Sequence, residues 1–206
     1  RLKEVVAAVD ADRYDAVLLG YARCRHGLIG LTARSIPLVV PRGHDCITLF
    51  LGNKERYLDY FQNNPGAYFK TSGWIERGED LAQFGAETIP RQSGMTQSYE
   101  ELAAKYGEDN ARFLYDQLCN MTRNYSKLTF IDMGIEPDDR FERATREEAA
   151  RRGWTFDKLA GDMSLLQSLL DGPWDPQRFL VVPPGQQIAN SFDNQIIKVV
   201  RCEELQ

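Results

Sequence analysis

Apolar residues recur along this chain in short runs with two different periods. Leu2, Val5, Val6 and Val9 fall on one face of a helix over residues 1–11, and residues 16–21, AVLLGY, form a near-continuous apolar run expected to be a strand covered on both faces. A second buried strand is expected over residues 37–40, between Pro37 and Pro41. From about Asp45 the spacing changes to 3.6, which predicts one helix running through Leu49, Tyr57 and Leu58 to Phe61, stopped by Asn63-Asn64-Pro65-Gly66. Residues 67–70 read as a third strand, followed by a polar turn Thr71-Ser72-Gly73-Trp74 and an irregular stretch, 76–94, that reads as a lid or a crossover. Helices are predicted over 98–106 and 108–125, the second with Phe113, Leu114, Leu118 and Met121 on one stripe.

The second half continues the alternation. Strands are predicted over 128–131, 154–159 and 179–182, an edge strand over 195–200, and helices over 139–152 and 163–170, the latter capped by Asp162 and stopped by Gly172-Pro173. Strand and helix alternating at this pace predict βαβ units and an α/β fold with a mainly parallel sheet flanked by helices, Rossmann-like in type. The 206 residues suit either one domain, 1–206, or two pseudo-equivalent lobes, 1–94 and 95–206. The chain opens on Arg1 inside a helix, so an N-terminal strand of the fold is expected to be missing.

Composition narrows the partners. A net charge of -5 gives no basic footprint for nucleic acid, although scattered charges can serve a small anionic ligand. No apolar run approaches the roughly 18 residues of a membrane span and no signal peptide is evident, so no membrane partner and a cytoplasmic location are expected. Cys24, Cys46, Cys119 and Cys202 show no CxxC spacing and read as free thiols, metal ligands or core residues in a reducing compartment.

In open parallel sheets, ligands sit outside the carboxyl ends of the strands. The residues expected there are Cys24 and His26, His44 and Cys46, Thr71, Ser72 and Trp74, Asp132, Gly161 and Asp162, and Gly185 and Gln186. Two thiolates and one imidazole, from Cys24, His44 and Cys46, make a three-ligand site with an open fourth position, the format of catalytic zinc or another transition metal. Such an ion deprotonates a bound water or substrate thiol at neutral pH. The chain has two histidines, each within two residues of a cysteine, which favours this reading over a buried thiol and a capping imidazole. His26 and Cys119 are further candidate ligands. The spacing from His44-x-Cys46 to Cys119 is similar to the zinc motif of methylcobalamin-to-thiol methyltransferases, although the chain is too short for their eight-unit barrel. Thr71, Ser72, Trp74, Asp162 and Gln186 are candidate contacts for a small-molecule substrate. Asp132, Asp157 and Asp162 read as caps or turn residues before general acids or bases, and Cys202 as inert. No GxGxxG fingerprint and no P-loop is present, so a dinucleotide or nucleoside triphosphate is unsupported.

The segments GYARCRHGLIGL, IPLVVPRGHDCITLFLG, YFKTSGWIE, YGEDNARFL and GDMSLLQSLLDGPWDPQRFLVVPPGQQI together resemble an uncharacterised domain-of-unknown-function family of methanogenic archaea and anaerobic bacteria. Its members are often encoded near corrinoid methyltransferase systems, and the resemblance implies a role in methyl or corrinoid metabolism with Cys24, His44 and Cys46 as the reactive set. His26 departs from the small polar residue expected there. The resemblance also implies an additional N-terminal stretch opening with a strand. The leading expectation is a metal-binding enzyme that activates a small substrate, with methyl transfer as its reaction and a corrinoid protein or methyltransferase as partner. The alternative is a non-catalytic accessory protein holding a corrinoid, metal or metallocofactor, and a third is a redox protein with a Cys24–Cys46 disulfide.

Overall fold

The computed structural model describes residues 2–23, 27–76, 98–115 and 124–202. In chain order these form α1 (Leu2–Ala7), β1 (Val17–Leu18), β2 (Leu38–Pro41), α2 (Cys46–Leu51), α3 (Lys54–Asn63), β3 (Ala67–Lys70), α4 (Ser72–Glu76) and α5 (Tyr99–Tyr106). There follow α6 (Glu108–Leu114), β4 (Lys127–Asp132), α7 (Arg140–Arg152), β5 (Thr155–Ala160), α8 (Ser164–Asp171), β6 (Phe179–Val182), β7 (Gln186–Asn190) and β8 (Ile197–Arg201). They divide into two compact units, one made of Arg1–Asn63 with Ala160–Gln206 and the other of Asn64–Leu159. The division differs from the expected boundary at 94/95, because the first unit is assembled from both ends of the chain.

In the first unit the sheet order is β1–β2–β6. β1 and β2 are parallel, with Val17 opposite Leu38, whereas β2 and β6 are antiparallel, with Leu38 opposite Val182 and Pro41 opposite Phe179. All four residues of β2 are buried. Leu38 and Val40 pack with Leu28, Leu31, Val182 and Ile188 in one apolar cluster, and Val39 packs with Leu49, Leu165, Leu169 and Phe179 in another. Side chains alternate across a strand, so a strand covered on both faces needs an unbroken apolar run, and β2 has one. Full burial of one such side chain contributes about 1.5–3 kcal/mol. β7 and β8 pair as an antiparallel hairpin from Gln186 opposite Arg201 to Asn190 opposite Ile197, and Ile188 and Ile197 join the first cluster.

The second unit holds the sheet β3–β4–β5, with β3 and β4 parallel and Ala67 opposite Lys127. β4, α7 and β5 form the strand–helix–strand crossover that parallel strands require. α7 buries Phe141, Thr145 and Ala149, spaced by four so that they share one face, and turns charged residues outward. Gly153 ends it with φ +68°.

The fold is mixed α/β, as the alternation predicts. Among the described residues its strands are nevertheless distributed over three sheets rather than one mainly parallel sheet, and β6 runs antiparallel to β2, because an apolar run such as 179–182 carries no information about strand direction. The helix expected from Asp45 to Phe61 is two helices, broken at Gly52 (φ +81°), with Asn53 capping α3 by accepting from the Arg56 amide at 2.7 Å. The expected turn at 71–74 is instead the start of α4, and β7, with the polar sequence QQIAN, has no counterpart among the predicted strands. Among the described residues no helix is long and apolar enough to cross a membrane.

Candidate functional site

The first unit carries the turn from β2 into α2, and its geometry follows from a few residues. Beyond Pro41 the Arg42 amide donates to Arg178 O (2.8 Å), the Gly43 amide to Pro41 O (3.0 Å) and the Arg23 amide to Gly43 O (3.1 Å). A Cβ on Gly43 would lie 3.1 Å from Ala22 Cβ and 3.2 Å from Thr48 Cβ, so a larger residue in the turn would press on both neighbours. Asp45 caps α2: its Oδ1 accepts from the amides of Ile47 (2.9 Å) and Thr48 (3.4 Å). Its Oδ2 accepts from the Tyr57 hydroxyl at 2.9 Å. Tyr57 in turn stacks on His44, with ring centroids 5.9 Å apart and planes at 28°, and on Phe61 at 5.8 Å. One carboxylate thus fixes both the start of the helix and the aromatic ring behind His44.

His44 is half-buried, and this burial, reinforced by the charges of Arg23 and Lys54, holds its imidazole below the ordinary histidine value; Asp45 offsets this in part. The shift favours the neutral ring, whose nitrogen lone pair can serve a metal ion. Cys46, the first residue of α2, is half-buried.

Arg42, between Pro41 and Gly43, acts as a clamp. Its Nε donates to Pro176 O (2.8 Å) and Phe179 O (3.2 Å), and its Nη1 donates to Gln195 O (2.8 Å) and Ile197 O. Burial lowers its pKa while Asp193 opposes the shift. Thr48, wholly buried beneath the turn, has an Oγ1 with no hydrogen-bond partner among the described residues.

Of the proposed reactive set, the structure describes His44 and Cys46. Cys24, with the further candidate His26, and Cys119 lie outside the described residues. Among the described residues, no three His, Cys, Asp or Glu side chains group to hold a metal ion. The expected substrate contacts fall in different units: Thr71, Ser72 and Trp74 belong to Asn64–Leu159, and Asp162 and Gln186 to the other. Thr71 is buried, and the Ser72 hydroxyl donates to Glu136 Oε1 at 3.0 Å. Glu136 also accepts from the Met133 and Ile135 amides, an arrangement that fixes the turn after β4.

Asp132 accepts from the Gly134 amide and pairs with Lys158 at 2.8 Å, while Lys158 also pairs with Glu142 at 2.7 Å. These contacts lower the Asp132 pKa and raise that of Lys158, and they join β4, β5 and α7. Asp162 Oδ1 accepts from the Ser164 amide at 2.7 Å, and this bond lowers its pKa; α8 begins at Ser164 with Met163 in the cap position, so Asp162 stands one residue before the cap rather than in it as expected. Gln186 begins β7, and the Cys202 thiol donates to Gly185 O. Sequence patterning did not single out Tyr57, Arg42, Lys54 or Arg178. Tyr57 lies eleven residues beyond Cys46 on another helix, so only the fold reveals its contact with His44.

The family model described as "Protein of unknown function (DUF1638)" matches residues 1–170. No curated protein and no solved structure matches the chain.

Proposed function

For a chain that belongs to the DUF1638 family, whose function is unknown, we propose a metal-dependent enzyme whose reactive centre is the β2–α2 turn. In this reading His44 and Cys46, joined by Cys24, hold zinc or another transition metal and act on a small substrate. The observation that carries it is His44: a half-buried imidazole, biased to its neutral form and backed by Tyr57, two residues from the half-buried Cys46. A neutral imidazole and a thiol that can ionise are the donor set that zinc accepts. When bound, the ion supplies Lewis acidity and a nucleophile deprotonated at neutral pH. The chain's own residues do the rest: Asp45 and Tyr57 fix the ring plane of His44, and Arg23 and Lys54 present positive charge to a substrate carrying negative charge. Methyl transfer linked to corrinoid metabolism is the reaction class that the family resemblance suggests, in the cytoplasm and with a corrinoid protein or methyltransferase as partner.

The test is elemental analysis of protein purified without oxygen, for the natural chain and for His44→Ala and Cys46→Ser, with circular dichroism confirming that each variant folds. About one ion per chain, lost in both folded variants, is expected. No ion in any preparation, or full retention in both variants, would sink the proposal.

A further inference from the structure

Close to this turn, within the same unit, lies a cleft of about 480 Å³, in the size range of small-molecule sites. Three cations line it. Arg42 comes from the end of β2, Lys54 from the start of α3, and Arg178 from the segment leading into β6, while Glu55 is the lone acid among the described residues of the lining. The remaining wall is amide and apolar, from Asn53, Gln177 and the buried Leu165.

The partners of these cations are unequal to their charge. Arg42 spends Nε and Nη1 on four backbone carbonyls and has no ion pair at contact distance among the described residues, Asp193 acting on it only through space. Arg178 donates from Nη1 to the neutral Ser168 hydroxyl at 3.2 Å and lies over the Phe179 ring at 5.8 Å, with Asp162 acting through space. Lys54 donates to Asn194 O at 2.9 Å and lies at the outer limit of pairing, 4.0 Å, from Glu55, whose own side chain is exposed. Concave sites lined by one sign of charge concentrate ions of the other sign, and guanidinium groups with donors to spare match the oxygens of phosphate and carboxylate.

We infer that this cleft is a binding site for the phosphate or carboxylate group of a small anionic molecule, with Arg178 and Lys54 as its principal contacts. Arg42 contributes charge while keeping its carbonyl bonds. The inference adds a substrate class to the proposed reactive centre, since Lys54 also influences His44, but the binding itself requires no metal.

The probe is inorganic phosphate, with malonate as a carboxylate comparison, followed by equilibrium dialysis at low ionic strength, where exposed charges are least screened. Saturable binding of either ion is expected, weakened about tenfold in Arg178→Gln, which retains an amide donor for Ser168. Lys54→Gln should weaken it likewise and serves as the second test where Arg178→Gln does not fold. Arg143→Gln, which removes an exposed cation of α7, should leave binding unchanged. Absence of saturable binding of both ions, or equal weakening in Arg143→Gln, would overturn the inference. Binding that follows this pattern in protein that never takes up an ion leaves the cleft standing and removes the metalloenzyme reading.

Discussion

Replacing Gly52 with alanine tests how α2 and α3 are joined. Gly52 has φ +81°, and a Cβ there would lie 2.8 Å from Asp162 Cβ and 2.5 Å from Asp162 Cγ. Because Asp162 Cβ is fixed to its backbone, no rotamer change relieves the overlap. The backbone at 162 must move, and it is held by the Asp162 amide donating to Phe50 O (2.8 Å) and by Oδ1 accepting from the Ser164 amide (2.7 Å). A left-handed conformation costs an L-residue about 1–2 kcal/mol, and disturbing the bond from the Ser164 amide to Asp162 costs about 1 kcal/mol more. With the strained Phe50 bond adding a similar amount, Gly52→Ala should lose about 3–4 kcal/mol, a melting temperature lower by roughly 8–15 °C. Gly185→Ala is the internal control, since Gly185 has φ +77° but open space around it and belongs to the same unit. It should lose only the conformational cost of about 1–2 kcal/mol. Urea denaturation of both variants measures the difference directly. Equal losses for the two would refute the steric part of the reasoning. The double variant Gly52→Ala with Asp162→Ala should lose less than the sum of the single losses, because residues in contact are not additive.

Two further predictions concern buried polar groups. Thr48→Val replaces a buried hydroxyl that has no partner among the described residues with a methyl group, so it should be neutral or stabilising by up to about 1 kcal/mol; a loss above that, measured by urea denaturation, would show that the hydroxyl is bonded. Lys70 and Glu148 form a nearly buried ion pair in the second unit, with Arg152 on the other carboxylate oxygen at 2.9 Å. Burial alone would raise the Glu148 carboxyl, but Lys70 and Arg152 overcome it and hold its pKa below the usual glutamate value. The folded pKa is therefore the lower one, so the stabilisation is present above the unfolded glutamate value and lost as pH falls through the folded one. Glu148→Gln should cost about 2 kcal/mol at pH 7 and progressively less under acid conditions, and a pH-independent difference in urea denaturation would refute the assignment.

The strands were legible where their own residues decide them. Residues 67–70 and 179–182 were predicted with the observed limits because their apolar residues stand between clear turn signals. β7 escaped because Gln186, Gln187 and Asn190 are polar, and its place comes from pairing with β8 and from the burial of Ile188 and Ala189. The continuous helix from Asp45 failed at one glycine, since the apolar spacing runs on across the break while Gly52 and the Asn53 cap reset the axis. At the site, proximity in sequence pointed to His44 and Cys46, as it did to Cys24 and His26 outside the described residues. Tyr57 behind the imidazole, and Arg42 and Arg178 in the cleft, come from separate parts of the chain and meet only through tertiary contacts.

The sheet that carries the His44 turn joins β2, synthesised early, to β6, synthesised late, with the whole of the other unit between them in the sequence. Closing that pairing requires bringing distant segments together, at an entropic cost that local contacts do not bear. Residues 64–159 form an uninterrupted segment with its own sheet, and all of them leave the ribosome before β6 does. The inserted unit can therefore fold while the chain is still growing, whereas the turn bearing His44 and Cys46 acquires its Arg42 clamp only after residues 176–197 have been made.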